Sequence, residues 1–133
     1  MTAEFDTVYG TSSPMPGFHP GEMHRYCAKG HSSLVFVGKD GRLFWGFMAK
    51  MDKKYSENSI PRRNASQLDA HIRKYPDFEV GCNTKLSELW KNVQATSFTA
   101  LEEGLVENWT YGRIACVGDS VHKATINVSH FII

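Results

Sequence analysis

Two runs of β-branched and aromatic residues on either side of a glycine-bounded turn constrain the fold more than any other feature of this chain. Leu34-Val35-Phe36-Val37 leads through Gly38-Lys39-Asp40-Gly41 into Arg42-Leu43-Phe44-Trp45-Gly46-Phe47-Met48. Such runs pack well on a pleated surface, and Gly and Asp supply the backbone conformations that a tight reversal needs, so the stretch predicts a β-hairpin. Both arms are apolar on both faces over much of their length. The hairpin therefore belongs inside a larger sheet or lines a pocket. With 133 residues, the chain is long enough for one domain with a single core. Its longest uncharged apolar runs fall far short of the roughly 20 residues that cross a bilayer as a helix.

The rest of the chain predicts an α+β arrangement. Glu4 to Gly10 reads as a strand, and Thr11 to Gly21 is broken by Pro14, Pro16, Gly17, Pro20 and Gly21. Glu22 to Ala28 reads as a second extended piece. Met51 to Arg63 is polar and reads as a surface loop. Ala65 to Tyr75 reads as a helix stopped by Pro76. Leu86, Leu89, Trp90 and Val93 fall at i, i+3, i+4 and i+7, which predicts a second helix starting near Thr84. Phe98 to Leu105 reads as a strand. Ile114-Ala115-Cys116-Val117 reads as a short buried strand ending at Gly118-Asp119.

Charge and motifs exclude several functions. Fifteen Lys and Arg against fourteen Asp and Glu leave +1, with no basic excess of the kind that marks a nucleic-acid binder. Cys27, Cys82 and Cys116 are odd in number and widely spaced, which argues against a disulfide framework and a cysteine zinc site. His19, Glu22, His24 and His31 lie close together, but no pair follows a helical ligand spacing, and no metal site is expected from them. Gly38-Lys39-Asp40-Gly41 matches a nucleic-acid-clamping Gly-x-x-Gly, yet its flanks are strands rather than helices. Neither Gly-x-Gly-x-x-Gly, a phosphate-binding Gly-x-x-x-x-Gly-Lys-Ser/Thr loop nor a Gly-x-Ser-x-Gly elbow occurs. The N-terminus lacks the basic and apolar regions of a secretory leader. An intracellular, cytoplasmic location is expected, with the Asn-x-Ser/Thr matches at Asn64, Asn108 and Asn127 fortuitous.

The stretch richest in chemistry is Trp109-Thr110-Tyr111-Gly112-Arg113-Ile114-Ala115-Cys116-Val117-Gly118-Asp119-Ser120-Val121-His122-Lys123. A strand that delivers Gly118-Asp119 at its end places a carboxylate where it can accept hydrogen bonds from polyol or ribose hydroxyls. The plainer reading is that Asp119 caps a helix, and on residue chemistry alone that reading is the stronger. Arg113 to His122, however, resembles the second flavin-contacting motif of the FAD-dependent aromatic-hydroxylase superfamily. The closer likeness is to fungal monooxygenases of terpenoid and other secondary-metabolite pathways. It extends upstream through the Trp109 region, Leu89-Trp90, Lys50-Met51-Asp52-Lys53 and the Leu34–Met48 hairpin.

The resemblance implies one partial domain over 1–133. Residues 1–108 would form part of a substrate-domain sheet with its helices, and 109–133 the last flavin-contacting strand and a tail, without the N-terminal Rossmann unit. It further implies FAD as cofactor, with Asp119 hydrogen-bonding the ribityl portion and Gly118 allowing close approach. NADPH or NADH would be the reductant, and the substrate a small lipophilic intermediate. Trp45 and Phe47 would wall an apolar pocket, although apolar residues on a strand are more often ordinary core.

Two departures from that family shape the expected function. The βαβ unit with its glycine loop is missing, and after Thr125 the family's Pro-Asn and glycines give way to Ile126-Asn127-Val128-Ser129-His130-Phe131. The chain thus reads as truncated at both ends. Val128-Ser129 can be encoded by an intron-donor-like GTG-AGT, and a partner chain would have to supply the Rossmann unit. A single carboxylate contact is worth roughly 1–3 kcal/mol, too little for useful affinity, so oxygenation by this chain alone is not expected. The alternatives are a cofactor-free isomerase, cyclase or binding module, with His122, Asp119 or Glu102 as acid or base, and a non-functional remnant with aggregation-prone edges. No spacing selects a catalytic residue.

Overall fold

In the computed structural model, which describes residues 1–123, six strands form one antiparallel sheet with two short helices on one face. The departure after Thr125 and the Asn127 sequon lie outside the described residues. In chain order the elements are β1 (Thr2–Ser12), β2 (Met23–Ala28), β3 (His31–Val37), β4 (Leu43–Ser56), α1 (Ala65–Ile72), β5 (Glu79–Gly81), β6 (Thr84–Lys85), α2 (Leu86–Lys91), β7 (Val93–Leu105), β8 (Thr110–Tyr111), β9 (Ile114–Ala115) and β10 (His122–Lys123). The main sheet runs β10-β7-β1-β4-β3-β2, while β5-β6 and β8-β9 are separate two-stranded ribbons. Helices gathered on one face of an antiparallel sheet give a sheet-dominated α+β layering. Among the described residues no helix is long and apolar enough to cross a membrane.

The predicted hairpin is β3-β4, in register from Val37 opposite Leu43 to His31 opposite Ala49. Its two faces have different fates because side chains alternate along a strand. Leu43, Trp45, Phe47 and Ala49 point to the helix-covered side and are at most 4% exposed. They form the core with Val8, Val35, Leu68, Ile72, Leu86 and Leu89. Phe44, Gly46 and Met48 point the other way.

The helices are short and locally capped. Asn64 accepts from the Gln67 backbone N–H at 3.3 Å while its own N–H donates to the Gln67 side chain at 3.3 Å, which starts α1. Leu68 and Ile72 are its buried stripe. α2 starts with the Lys85 N–H donating to Glu88 at 2.8 Å and buries Leu86 and Leu89.

Several sequence expectations are corrected. The apolar period through Val93 overran the helix: α2 ends at Lys91, and Val93 opens β7, where it pairs with Ser12. Thr84 lies in β6, ahead of the helix. Met51 to Arg63 is not all loop, because β4 continues to Ser56 and a single 3-10 turn follows over Glu57–Ser59. Backbone pairing with the start of β1, Thr2 with Ser56 and Ala3 with Tyr55, holds this polar extension, and a register shift between Ala3 and Phe5 accommodates it. Ile114 to Val117 is not a buried strand. Only Ile114–Ala115 is extended, it pairs with Thr110–Tyr111 alone, and Ile114 and Val117 are 67% and 76% exposed.

Candidate functional site

The sheet face opposite the helices is apolar; Phe5, Thr7 and Met48 on it are buried, whereas the rows of Tyr9 and Phe44 have no covering layer among the described residues. The pairing register puts Tyr9, Gly46, Leu34 and Ser97 in one row across four strands, and Thr11, Phe44, Phe36 and Ala95 in the next. Met48 lies one row further along. Together they line a hollow of about 770 Å³, with Leu101, Glu102, Asp119 and Lys123 at one end. That volume is in the range of small-molecule sites, which are mostly apolar with a few polar groups at fixed places. Tyr9, Phe36 and Phe44 keep 44–47% of their surface exposed, although such large side chains normally seek cover. Partial burial pushes the Tyr9 phenol above its ordinary pKa, so it stays a neutral donor at physiological pH.

Gly46 makes the hollow deep. It sits between Phe44 and Met48, and a Cβ built on it would meet only the Tyr9 ring, at 3.5 Å. Any larger side chain there would reach into the hollow.

The polar end is assembled by β10. This strand pairs with β7, His122 opposite Leu105 and Lys123 opposite Gly104, and so returns the chain to the sheet. Lys123 Nζ lies 3.6 Å from Glu102 Oε2. The preceding 3-10 turn over Gly118–Ser120 is closed by the Val121 N–H donating to Gly118 O at 3.1 Å and by Ser120 Oγ donating to Val117 O at 2.7 Å. Gly118 has φ +64°, and nothing lies within 4 Å of where a Cβ would sit. Asp119 is exposed, and its carboxylate has no hydrogen-bond or ion-pair partner among the described residues. It caps no α-helix, since only a 3-10 turn follows Val117.

Of the residues singled out from sequence, Asp119 and Glu102 meet at this rim, whereas His122 is not among the residues lining the hollow. Trp45 borders its floor, but its indole is committed to the core: Nε1–H donates to Ser12 Oγ at 2.9 Å, and the ring packs edge-on against Trp90 at 6.5 Å. Phe47 is fully buried on the helix side, 5.1 Å from Tyr75 and 5.3 Å from Phe78 between ring centroids. The side chains on the open face are therefore the other alternating set of the hairpin, Phe36, Phe44 and Met48, with Tyr9 and Leu101 from β1 and β7. Strict alternation along the β4 sequence identifies the two sets, but not which one faces the helices. Lys123 carried no sequence signal, because only the β10–β7 pairing brings it to Glu102.

No protein-family model matches the chain. Comparison with characterised proteins is more informative. Over 128 residues the chain is 39% identical to FAD-dependent monooxygenase BOA8 of Botryotinia fuckeliana, and 38% identical to FAD-dependent monooxygenase trt8 of Aspergillus terreus. Over 127 residues it is 37% identical to FAD-dependent monooxygenase spyC of Aspergillus fumigatus. Each match takes in 96% of this chain, which spans 16%, 32% and 27% of those proteins respectively. Among solved structures, tetracycline destructase Tet(51) superposes with a TM-score of 0.56 at 15% identity, over 92% of this chain and 33% of that one. At that identity the likeness concerns the fold.

Proposed function

We propose, from the premise that this chain is homologous over nearly its whole length to one segment of the fungal FAD-dependent monooxygenases, that it forms the substrate-side wall of such a flavoprotein's active centre. The observation that carries this reading is the apolar hollow on the uncovered sheet face, with a carboxylate turn at one end. Residues 1–108 are the substrate-side sheet and its supporting helices, and 109–133 the flavin-side turn and tail. The substrate is a small lipophilic molecule of secondary metabolism that packs against Phe36, Phe44 and Met48 above Gly46, with Trp45 backing the floor. The whole protein draws electrons from NADPH or NADH, and the partner elements that cover the hollow include a dinucleotide-binding unit.

The residues present fit the hydroxylated side of FAD. Asp119 offers a carboxylate without a described partner, and the space beside Gly118 is open to a close approach. Bound there, FAD would supply the oxygen activation that oxygenating a lipophilic substrate needs. The chain's own contribution is positional. Asp119 accepts hydrogen bonds from ribityl hydroxyls, and Lys123 and Glu102 balance charge beside it. The aromatic wall excludes water from the reacting face. Tyr9 presents a neutral phenol that can orient a polar group of the substrate.

Two titrations test the reading. The first uses anilinonaphthalene sulfonate as a lipophilic probe, with the wild-type chain and Gly46→Trp, whose indole would fill the hollow. Dye emission should rise with the wild type and fall by at least half with the variant, at unchanged circular dichroism. The second adds FAD, followed by visible absorption and equilibrium dialysis. One charge-assisted contact of about 1–3 kcal/mol predicts millimolar or weaker binding by the chain alone, weakened further by Asp119→Ala. Dye binding indifferent to Gly46→Trp would remove the hollow as the ligand site. FAD binding unaffected by Asp119→Ala would remove the carboxylate's role. Dye binding with no response to FAD at any concentration would favour a cofactor-free binding module, the second reading that the hollow alone supports.

A further inference from the structure

Away from the hollow, on the opposite side of the molecule, three side chains of metal-ligating type converge from separate parts of the sequence. Glu22 precedes β2, His24 lies in β2, and Cys82 sits in the tight turn between β5 and β6. One ligand atom from each lies within 4.8 Å of the other two. His24 Nε2 is 2.9 Å from Glu22 Oε2 and 3.8 Å from Cys82 Sγ. In a tetrahedral site with metal–nitrogen and metal–oxygen bonds of about 2.0–2.2 Å and a metal–sulfur bond of about 2.3 Å, ligand atoms stand roughly 3.3–3.8 Å apart. The thiol–imidazole separation matches that spacing, with Sγ 3.8 Å from Nδ1 as well as from Nε2; the thiol now donates to Gly17 O at 3.1 Å, a bond that metal binding would replace. The imidazole–carboxylate pair needs to open by only a few tenths of an ångström.

Cys82 and Asn83 have φ +52° and +55°, two successive non-glycine residues in the left-handed region. A two-residue hairpin turn of this kind requires positive φ at both central positions, so the β5-β6 pairing of Gly81 with Thr84 sets this turn. Gly81 is the position that lets the turn close on His24, since a Cβ there would stand 2.9 Å from His24 Cβ. Glu22 is oriented as well: Oε2 accepts from the His19 backbone N–H at 3.0 Å and faces the His24 ring, while Oε1 has no described partner. The His24 ring is steadied by an edge-on contact with Phe18 at 5.0 Å. Each of the three residues is partly buried rather than exposed, in contrast to Cys27 and Cys116.

We propose that Glu22, His24 and Cys82 form a binding site for a divalent cation of zinc type. A mixed carboxylate, imidazole and thiolate set is the donor chemistry of borderline-soft ions, and it disfavours Mg²⁺ and Ca²⁺, which take oxygen ligands. With neutral His24, one thiolate and one carboxylate cancel the charge of the ion, which suits a half-buried position. On binding, the Cys82 S–H bond breaks and its proton passes to solvent. The His24 ring takes the tautomer with hydrogen on Nδ1, freeing Nε2. Three protein ligands leave the fourth position to water or an added ligand. The ion would tie β2 to the β5-β6 turn, two segments 58 residues apart that share no sheet. Cysteine spacing alone gives no hint of this site, because it takes one cysteine and a histidine distant in sequence.

Co²⁺ is the direct probe, since thiolate coordination gives an intense near-ultraviolet charge-transfer band, and tetrahedral geometry gives visible d–d bands. The reduced, chelator-treated chain should bind one Co²⁺, show both features, and release Co²⁺ when Zn²⁺ is added. Cys82→Ser should abolish the charge-transfer band. It should also weaken Zn²⁺ binding, measured against a chromophoric chelator, by at least the roughly 100-fold that marks the upper range for losing an outer-shell partner. Cys27→Ser and Cys116→Ser should leave both unchanged. The wild-type titration does not depend on any variant folding. Absence of a charge-transfer band in the wild type would overturn the proposal, as would a band that survives Cys82→Ser or disappears with Cys27→Ser or Cys116→Ser.

Discussion

Replacing Gly10 by alanine tests how the two faces of the sheet are kept distinct. Gly10 lies on β1 directly opposite Trp45, and a Cβ at position 10 would come within 2.2 Å of Trp45 Cζ2 and 2.4 Å of Cε2. Restoring an ordinary carbon contact of about 3.5 Å requires the ring to move by about 1.3 Å. The ring is not free to do so. Its Nε1–H donates to Ser12 Oγ, whose own hydroxyl donates to Leu89 O at 3.1 Å, and Trp90 closes the far side. Overpacking a filled core costs about 1–3 kcal/mol, and loss of one buried hydrogen bond adds about 1 kcal/mol. The expected destabilisation is therefore about 2–4 kcal/mol, read as a lowered urea midpoint in tryptophan fluorescence and circular dichroism. In a Trp45→Leu background the same Gly10→Ala change should cost less than about 1 kcal/mol, because the obstructing ring is gone. Gly46→Ala, whose Cβ would be 3.5 Å from Tyr9 on the open face, should stay within about 1 kcal/mol of wild type. Equal costs for Gly10→Ala with and without the Trp45 ring would refute the argument that the indole belongs to the core.

Three further outcomes follow from the same packing. Arg63 donates from Nε and Nη2 to both oxygens of the almost fully buried Asp6, at 2.8 and 2.7 Å, so Arg63→Met should destabilise the fold by about 3 kcal/mol in urea unfolding. A loss under 1 kcal/mol would show that water replaces the guanidinium. Burial pushes the His71 imidazole below its ordinary pKa, so the unfolded chain takes up the proton more readily; stability should be full above about pH 6.5 and fall as the pH drops below it. His71→Leu should flatten that decline between pH 7.5 and 5.5, and unaltered midpoint differences would sink the assignment. Asn64→Ala should cost about 1 kcal/mol by removing the α1 cap, and Asn64→Asp should largely restore it.

How far the sequence foretells the structure depends on whether the signal is local. The β3-β4 hairpin is legible because its turn and both strands are contiguous, and α1 because its residues are near neighbours, although the helix ends at Ile72 rather than at the Tyr75 read before Pro76. Val93 misleads because a helical period and a strand start share the same apolar residue, and only β7 pairing with Ser12 decides between them. The polar part of β4 is hidden for the complementary reason. Its end is held by the backbone pairing of Tyr55 and Ser56 with Ala3 and Thr2 of β1, which side-chain character does not report. In the site, Gly118-Asp119 is visible as a motif, whereas Lys123 beside Glu102 and Cys82 beside His24 exist only once distant segments pair.

The hairpin's apolar character on both faces then has a single physical account. A sheet covered by helices on one side needs only one alternating set of apolar residues, and Leu43, Trp45 and Phe47 meet that need. Placing Phe36 and Phe44 on the other side, 47% and 44% exposed, lowers solubility and invites association unless something covers them. Gly46 at the centre of that face keeps the hollow open, since a larger residue there would fill it and shield its neighbours. On the proposed reading, the apolar face and the glycine together leave room for a lipophilic ligand. The polar residues stand at one end of the hollow rather than scattered through it, so a ligand in contact with Phe44 and Met48 reaches Asp119, Lys123 and Glu102 from one direction only. That asymmetry is what a site needs if it is to hold one end of a molecule by polar contacts and leave the rest to packing.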